Sequence, residues 1–176
     1  GVRGTTHSWI KAFLSDRRQR VIVDGESSDW VPVQSGVPQG TVLGPMLFLA
    51  FINDLPKSVT SSVRLFADDC VLYRSVSNEE DCCTLQEDLE KLETWENQWC
   101  MSFNPSKCST ISITRKKKRI IHHYSLHNQI LDKVDSATYL GVELSSDLTW
   151  ANHINKTTKK ANSRLAFVKR NLPINS

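Results

Sequence analysis

The stretch Val63–Tyr73, VRLFADDCVLY, places two adjacent aspartates, Asp68 and Asp69, between two apolar runs. Each run is long enough for a strand, so the pattern predicts two strands joined at the aspartates. A turn favours aspartate, and a single acidic residue there would need no further reason. Two neighbouring carboxylates repel each other, which indicates a neutralising partner. A solvated acidic turn is the alternative, and the apolar flanks favour instead a hairpin tip set in a core.

A hairpin tip can present both carboxylates together at the edge of a sheet, where a hard cation would bind. Mg²⁺ takes carboxylate oxygens and keeps positions for substrate phosphates. Two such ions about 3.5–4 Å apart stabilise the attacking and leaving oxygens of phosphoryl transfer. A metal-dependent nuclease would also use clustered acids, but this sequence has no further acids at motif spacing and no histidine near the pair.

The segment before this hairpin, SGVPQGTVLGPMLFLAFINDLP, carries Gly36, Gly40 and Gly44 at intervals of four. The apolar run Pro45–Leu55 predicts a buried helix that ends before the next proline. The glycines predict one helical face on which the backbone approaches an extended ligand, and Gln39 adds an amide that donates and accepts. Close helix packing is the alternative, and a phosphate loop is disfavoured because no GK[ST] follows.

Periodicity predicts the remaining elements. Helices are expected from Thr5 or Thr6 through Leu14, from a Ser77/Glu80 capping box through Trp99, and from Trp150 through Leu172. Turns at Asp24-Gly25 and His127-Asn128 predict hairpins, while CSTISIT and ATYLGVEL each predict one strand. Helices alternating with hairpins indicate an α+β fold, in which a mainly antiparallel sheet carries helices on one face.

Composition is that of a globular domain, and charge is distributed unevenly. The chain has 176 residues, of which 39% are hydrophobic and 23% charged, with a net charge of +3. The segment 79–96 carries eight acids against one lysine, and no acid follows Asp147. Basic residues cluster at three places: Lys11 with Arg17, Arg18 and Arg20; the run Arg115–Arg119; and the final helix. Three basic patches indicate a polyanionic partner, although any one patch is also typical of a solvated face.

The five cysteines include no CxxC pair, and no zinc-ligand spacing surrounds His122 and His123. These features indicate a reduced, intracellular protein without a zinc ribbon. No apolar run approaches the ~20 residues needed to span a membrane, and the first residues show neither a signal-peptide pattern nor an initiator methionine. We therefore expect a protein that is soluble and cut from a longer chain, with no membrane partner.

The order of these motifs resembles the reverse transcriptases of non-long-terminal-repeat (LINE-type) retrotransposons. The resemblance begins with WIKAFLSDRRQRV, continues through SGVPQG and LFADDCVLY, and extends to MSFNPSKCSTISIT, YLGVEL and the last helix. It implies an RNA-directed DNA polymerase with a right-hand palm-like antiparallel sheet, in which residues 1–145 form part of the palm and residues 146–176 begin a basic thumb helix. The implied partners are an RNA template, a DNA primer, deoxynucleoside triphosphates and the rest of the retrotransposon polyprotein, with a nuclear or cytoplasmic location.

The resemblance also assigns roles to particular residues. Asp68 and Asp69 match the aspartate pair that binds two Mg²⁺ ions, and Lys107 matches a lysine proposed to protonate the pyrophosphate leaving group. A lysine that simply starts a strand is the alternative for Lys107. Matching residues that contact template and nucleotide are Ser35, Gly36, Pro38, Gln39, Gly40 and Phe66; Leu140 and Gly141 match the primer grip; Lys156, Lys159, Lys160 and Arg164 would follow the nucleic-acid backbone.

The family's palm uses a third metal-binding aspartate, on a strand upstream of the part that resembles GVRGTTHSWI. Asp24, in a predicted turn, and Asp54, before a proline, are poor substitutes. We therefore expect this chain, which also lacks the fingers, to be inactive as a polymerase when taken alone. The alternative is a catalytically dead retroelement relic that at most binds nucleic acid through its basic faces.

Overall fold

A computed structural model describes residues 1–116, 118 and 120–172. Four α-helices are interspersed with twelve short strands in this part of the chain. The helices are α1 (Gly4–Leu14), α2 (Leu43–Ile52), α3 (Glu79–Trp99) and α4 (Ala151–Asn171), with 3₁₀ turns at Leu55–Lys57 and Pro105–Lys107. Among these residues, no helix is both long enough and apolar enough to cross a membrane.

The strands pair only two by two within the described ranges. They are β1 (Arg18–Gln19) with β4 (Val31–Pro32), β2 (Ile22–Val23) with β3 (Glu26–Ser27), β5 (Ser62–Phe66) with β6 (Asp69–Tyr73), β7 (Ser109–Thr110) with β10 (Asp132–Lys133), β8 (Ser125–Leu126) with β9 (Gln129–Ile130), and β11 (Ser136–Tyr139) with β12 (Val142–Ser145). The β7–β10 pair is parallel. The mixture of helices and small, mostly antiparallel sheets confirms the α+β prediction. The expected continuous sheet is not seen in this part of the chain, where most strands span only two residues and no sheet has more than two strands.

The chain divides into two compact units. The first unit contains residues 1–57 and 63–71, and its buried apolar side chains are Ile52, Leu55 and Val63. The second contains residues 58–62 and those from 72 onward, and α3 supplies most of its core. Leu92 and Trp95 on α3 are each 4% exposed, and Leu126 of β8, which packs on this helix, is 3% exposed.

The capping box at the start of α3 lies one residue later than predicted. The side chain of Asn78, not Ser77, accepts a hydrogen bond from the Asp81 amide at 2.9 Å, and Asp81 completes the box by accepting from the Asn78 amide. Asp81 also accepts from the Ser77 amide at 2.8 Å, so an aspartate takes the role predicted for Glu80. Side chains therefore satisfy two of the amides that the first turn leaves without intrahelical partners, those of Asn78 and Asp81.

The side chain of Asp88 on α3 is fully buried, and it fixes the residues that lead into β5. Its carboxylate accepts hydrogen bonds from the Thr60 amide at 3.1 Å, the Thr60 hydroxyl at 2.9 Å and the Ser61 amide at 2.7 Å. Lys91 donates a further bond at 2.8 Å. Burial raises the pKa of Asp88, but these donors outweigh burial and hold the pKa below its usual range. A buried charge is thus retained because every side of it is hydrogen-bonded.

Two predicted single strands have other structures. ATYLGVEL forms the β11–β12 hairpin, because Leu140 and Gly141 both take positive φ angles, 49° and 81°, and reverse the chain. CSTISIT is a strand only over β7. The turns at Asp24-Gly25 and His127-Asn128 are confirmed, since all four residues have positive φ and join paired strands.

Candidate functional site

The two adjacent aspartates lie at a hairpin turn, as predicted from the sequence. β5 ends at Phe66, and Ala67 and Asp68 form the turn before β6 begins at Asp69. Both aspartates are exposed, and Phe66 is 60% exposed. The prediction of a tip set in a core is therefore wrong for the described residues, in which Val63 near the start of β5 is the buried part of the strand.

Asp68 and Asp69 suit a hard cation because of their oxygen donors. Within the described residues, neither carboxylate has a hydrogen-bond or ion-pair partner, so both keep their oxygens available. The same residues contain no cluster of three or more histidine, cysteine, aspartate or glutamate side chains. Mg²⁺ is commonly held by one or two carboxylates together with waters and substrate phosphates. The oxygen donors of the pair are of the type that such an ion takes, and any further ligands would come from beyond these two side chains.

The Ser35–Gly40 segment is a loop between β4 and α2, and it borders a cleft of about 610 Å³. Residues on both sides of the cleft are Arg17, Arg18, Gln19, Val33 and the loop positions Ser35 to Gln39. Gly36 adopts φ +73°, a left-handed conformation that most residues reach only with strain. Gln39 is exposed beside the cleft, where its amide can donate and accept.

The end of this loop is fixed against the first turn of α2. The Thr41 hydroxyl donates to the Pro38 carbonyl at 2.9 Å and accepts from the Gly44 amide at 3.1 Å. A Cβ atom on Gly44 would lie 2.7 Å from the Pro38 carbonyl oxygen, which is closer than real Cβ contacts allow. Gly44 is therefore required by packing of the loop on the helix. The predicted glycine face on one helix is wrong, because Gly36 and Gly40 lie in the loop.

Helix α2 also differs from the buried helix expected over Pro45–Leu55. It begins at Leu43 and ends at Ile52, and Met46 and Leu49 are 63% and 50% exposed. Within the helix only Gly44 and Ile52 are buried. The helix is confirmed, but its burial is limited to one side.

Arg17 also contacts the Ser35–Gly40 loop. The sequence indicated this residue only as one cation of a basic patch. Its guanidinium donates to the carbonyls of Leu14 at 3.0 Å, Ser35 at 3.0 Å and Gly36 at 2.6 Å. The separation of 18 or 19 residues from the loop leaves no local pattern that could have found this contact. The nearest signal is its position three residues after the end of α1, where a cation favours the terminal carbonyls of the helix.

Lys107 lies in the second unit, at the end of the 3₁₀ turn Pro105–Lys107. The Asn104 side chain accepts from the Ser106 amide at 3.1 Å, and the Asn104 carbonyl accepts from the Lys107 amide at 3.0 Å. These bonds fix the backbone of Lys107 and leave its side chain exposed to solvent. Its role as a proton donor remains a prediction.

Leu140 and Gly141 form the tip of the β11–β12 hairpin, and Leu140 is 47% exposed. Lys156 of α4 contacts the same hairpin, donating to the Glu143 carboxylate at 2.6 Å and to the Thr138 hydroxyl at 2.7 Å. The hydrogen bond from Lys156, with others from Thr138 and Ser136, lowers the pKa of Glu143 to about 2. Lys156 thus has a structural partner in this unit, in addition to its predicted contact with a nucleic-acid backbone.

The other cations predicted to follow a nucleic-acid backbone lie further along α4. Lys159, Lys160 and Arg164 are exposed and have no hydrogen-bond or ion-pair partner among the described residues. No residue of α4 is buried. The basic run Arg115–Arg119 includes Lys117 and Arg119, which lie outside the described residues.

Comparison with known proteins places these features in a family. Residues 2–144 match the family described as reverse transcriptase (RNA-dependent DNA polymerase). The chain is 34% identical over 166 residues to the probable RNA-directed DNA polymerase from transposon BS and 30% identical over 166 residues to the RNA-directed DNA polymerase from mobile element jockey, both of Drosophila melanogaster. Each match covers 89% of this chain and 18% of the relative. These matches confirm the resemblance to enzymes of non-LTR retrotransposons, and the chain belongs to the reverse transcriptase family.

Proposed function

We propose that this chain supplies part of the catalytic centre of an RNA-directed DNA polymerase from a non-LTR retrotransposon. The observation that carries the proposal is the exposed, unpaired carboxylate pair Asp68-Asp69 on a hairpin turn, within a segment that matches the reverse transcriptase family. Residues 1–145 would belong to the palm and residues 146–176 would begin the thumb. The reaction is the joining of deoxynucleotides to the 3′ end of a primer on an RNA template.

In this proposal Asp68 and Asp69 hold Mg²⁺. Two Mg²⁺ ions bound there would supply electrostatic stabilisation of the attacking and leaving oxygens of nucleotidyl transfer. The carboxylates orient the ions and balance their charge, and neither has a competing partner among the described residues. Lys107, with its side chain free to reach solvent, donates a proton to an oxygen of the pyrophosphate as that group leaves.

Other residues bind and orient the substrates. The Ser35–Gly40 loop, with the exposed Gln39 amide, contacts template and nucleotide together with Phe66, whose ring is 60% exposed. The hairpin tip Leu140-Gly141 supports the primer. Cations of α4 follow the phosphate backbone, with a binding strength that falls as salt rises.

The activity is tested in a chimera, because the chain spans 18% of the length of the jockey polymerase. The matching segment of the jockey polymerase is replaced by this chain, and primer extension on an RNA template is measured with Mg²⁺. Asp68→Asn should reduce synthesis at least about 10³-fold while leaving salt-dependent RNA binding within about twofold. Asp24→Asn is the matched control, since it removes an exposed turn carboxylate of the same unit and asparagine tolerates the positive φ of this position.

A second candidate is nucleic-acid binding without catalysis, and the three unpaired cations of α4 favour it. For three phosphate contacts to a single strand, log Kd should change with log salt concentration with a slope of about 2. Replacing Lys159, Lys160 and Arg164 by glutamine should remove most of that dependence. If the chimera binds RNA in this way and extends no primer, the second candidate replaces the polymerase. A nuclear or cytoplasmic site of action, as part of a longer polyprotein, accompanies either function.

A further inference from the structure

The side chain of Arg17 holds the first half of the Ser35–Gly40 loop. The Arg17 guanidinium donates from Nη2 to the carbonyl oxygens of Ser35 at 3.0 Å and Gly36 at 2.6 Å. From Nε it donates to the carbonyl of Leu14 at 3.0 Å, at the last residue of α1. A guanidinium carries its five N–H donors in one rigid plane, so one fork can tie a helix end to a distant loop.

The backbone aims Arg17 toward this loop. Asp16 adopts φ +53° and turns the chain sharply after α1. The Arg17 carbonyl then accepts a hydrogen bond from the Val33 amide at 2.8 Å, next to the β1–β4 pair. Main chain and side chain of one residue therefore hold Val33, Ser35 and Gly36, which are the residues that enter the loop.

The rest of the loop has separate support. Thr41 holds the Pro38 carbonyl at 2.9 Å, and Gly44 packs directly under Pro38. The entrance of the loop, formed by Ser35 and Gly36, is not packed in this way. Both residues are exposed, and no atom lies within 4 Å of the place where a Cβ on Gly36 would be. An exposed segment with few contacts opens easily, so the bonds from Arg17 control how well its entrance is ordered.

We propose that Arg17 is a positioning residue, which orders the Ser35–Gly40 loop for contact with template and nucleotide. This inference rests on the proposed function, since that function gives the loop its role. Arg17 acts through the loop carbonyls. Losing it leaves the Asp68-Asp69 pair unchanged and makes productive placement of the incoming nucleotide less frequent, as expected when a binding element must first be ordered.

The ordering is tested first on the 176-residue chain, without any assay of synthesis. Hydrogen exchange of the Val33 amide, which donates to the Arg17 carbonyl at the entrance of the loop, should quicken about tenfold or more in Arg17→Gln, because the entrance opens more often once it loses the hydrogen bonds from this charged donor. Arg17→Lys should give an intermediate rate, because an ammonium replaces only part of a planar fork. Arg3→Gln is the matched control, because Arg3 is exposed and has no side-chain partner among the described residues.

The role in positioning is then tested in the chimeric polymerase. Arg17→Gln should raise the KM for the deoxynucleotide about tenfold, with kcat and the thermal midpoint changing much less, and Arg17→Lys should restore part of the loss. An unchanged exchange rate overturns the inference whether or not the chimera is active. Faster exchange with unchanged kinetics overturns the positioning role and leaves a structural one. If the unsubstituted chimera is inactive, the polymerase proposal fails, while the exchange result still decides whether Arg17 orders the loop.

Discussion

Replacing Asp88 by asparagine tests the network that fixes the entry to β5. The carboxylate accepts four hydrogen bonds, two at each oxygen, from Thr60, Ser61 and Lys91. An amide keeps one oxygen and places an NH₂ group at the other position. In either orientation of the asparagine amide, its NH₂ group points at a main-chain N–H, which is left without an acceptor. The substitution also removes the negative charge that Lys91 contacts.

The magnitude follows from these losses. One orphaned buried amide costs about 1–3 kcal/mol, and a lost charge-assisted hydrogen bond costs about 1.5–3 kcal/mol. Part of this is recovered because a neutral side chain is cheaper to bury than a carboxylate. We expect Asp88→Asn to lower the free energy of unfolding by about 3 kcal/mol, a large share of the typical 5–15 kcal/mol of a domain.

The assay is urea denaturation of the chain at neutral pH, followed by circular dichroism. With an m value of about 2 kcal/mol/M, the midpoint should fall by about 1.5 M. Glu87→Gln is the matched control: it makes the same charge change on α3 at an exposed position, and should cost less than about 0.5 kcal/mol. A loss below about 1 kcal/mol for Asp88→Asn would refute the reasoning that these bonds are formed and buried.

Three further substitutions test other parts of the structure. Gly44→Ala should cost about 1–2 kcal/mol in urea denaturation despite the helix preference of alanine, because its Cβ would meet the Pro38 carbonyl at 2.7 Å; a stabilised variant would contradict that contact. Ala67→Gly should raise the thermal midpoint by about 2 °C or more, since Ala67 has φ +50° and glycine removes the strain; a lower midpoint would argue against this turn. The hydrogen bond from Lys156 lowers the pKa of Glu143 from 4.5 to about 2, so its stabilising effect is complete above pH 4.5 and disappears as pH falls through about 2. Glu143→Gln should flatten the stability curve over that range, and an unchanged slope would count against the ion pair.

Much of the local structure follows from near neighbours in the chain. The spacing of Leu85, Leu89, Leu92 and Trp95 predicts α3, and the turn residues at Asp24-Gly25 and His127-Asn128 predict their hairpins. These signals are strong because they depend on residues within one or two turns of each other. The ATYLGVEL segment forms a hairpin where the sequence predicts one strand, because leucine seldom takes the positive φ that Leu140 adopts in the turn.

Part of the candidate site also follows from near neighbours in the chain. Two adjacent aspartates between two strand-forming runs predict a hairpin that presents carboxylates, and the hairpin is present. The glycine pattern was misleading because equal spacing does not distinguish a helix face from a loop followed by a helix. Gly36 serves a left-handed backbone, whereas Gly44 makes room for a carbonyl.

The order of motifs follows from the amino-acid sequence, and with it the family, the helices, the acidic hairpin and the basic last helix. The side chains that hold these parts in place are known only from the folded chain. Arg17 reaches carbonyls 18 and 19 residues away, and Asp88 accepts from amides 28 and 27 residues earlier. Such contacts depend on distances between segments that share no local pattern. Local propensity acts over a few residues, and only the folded chain brings a guanidinium or a carboxylate to a distant backbone.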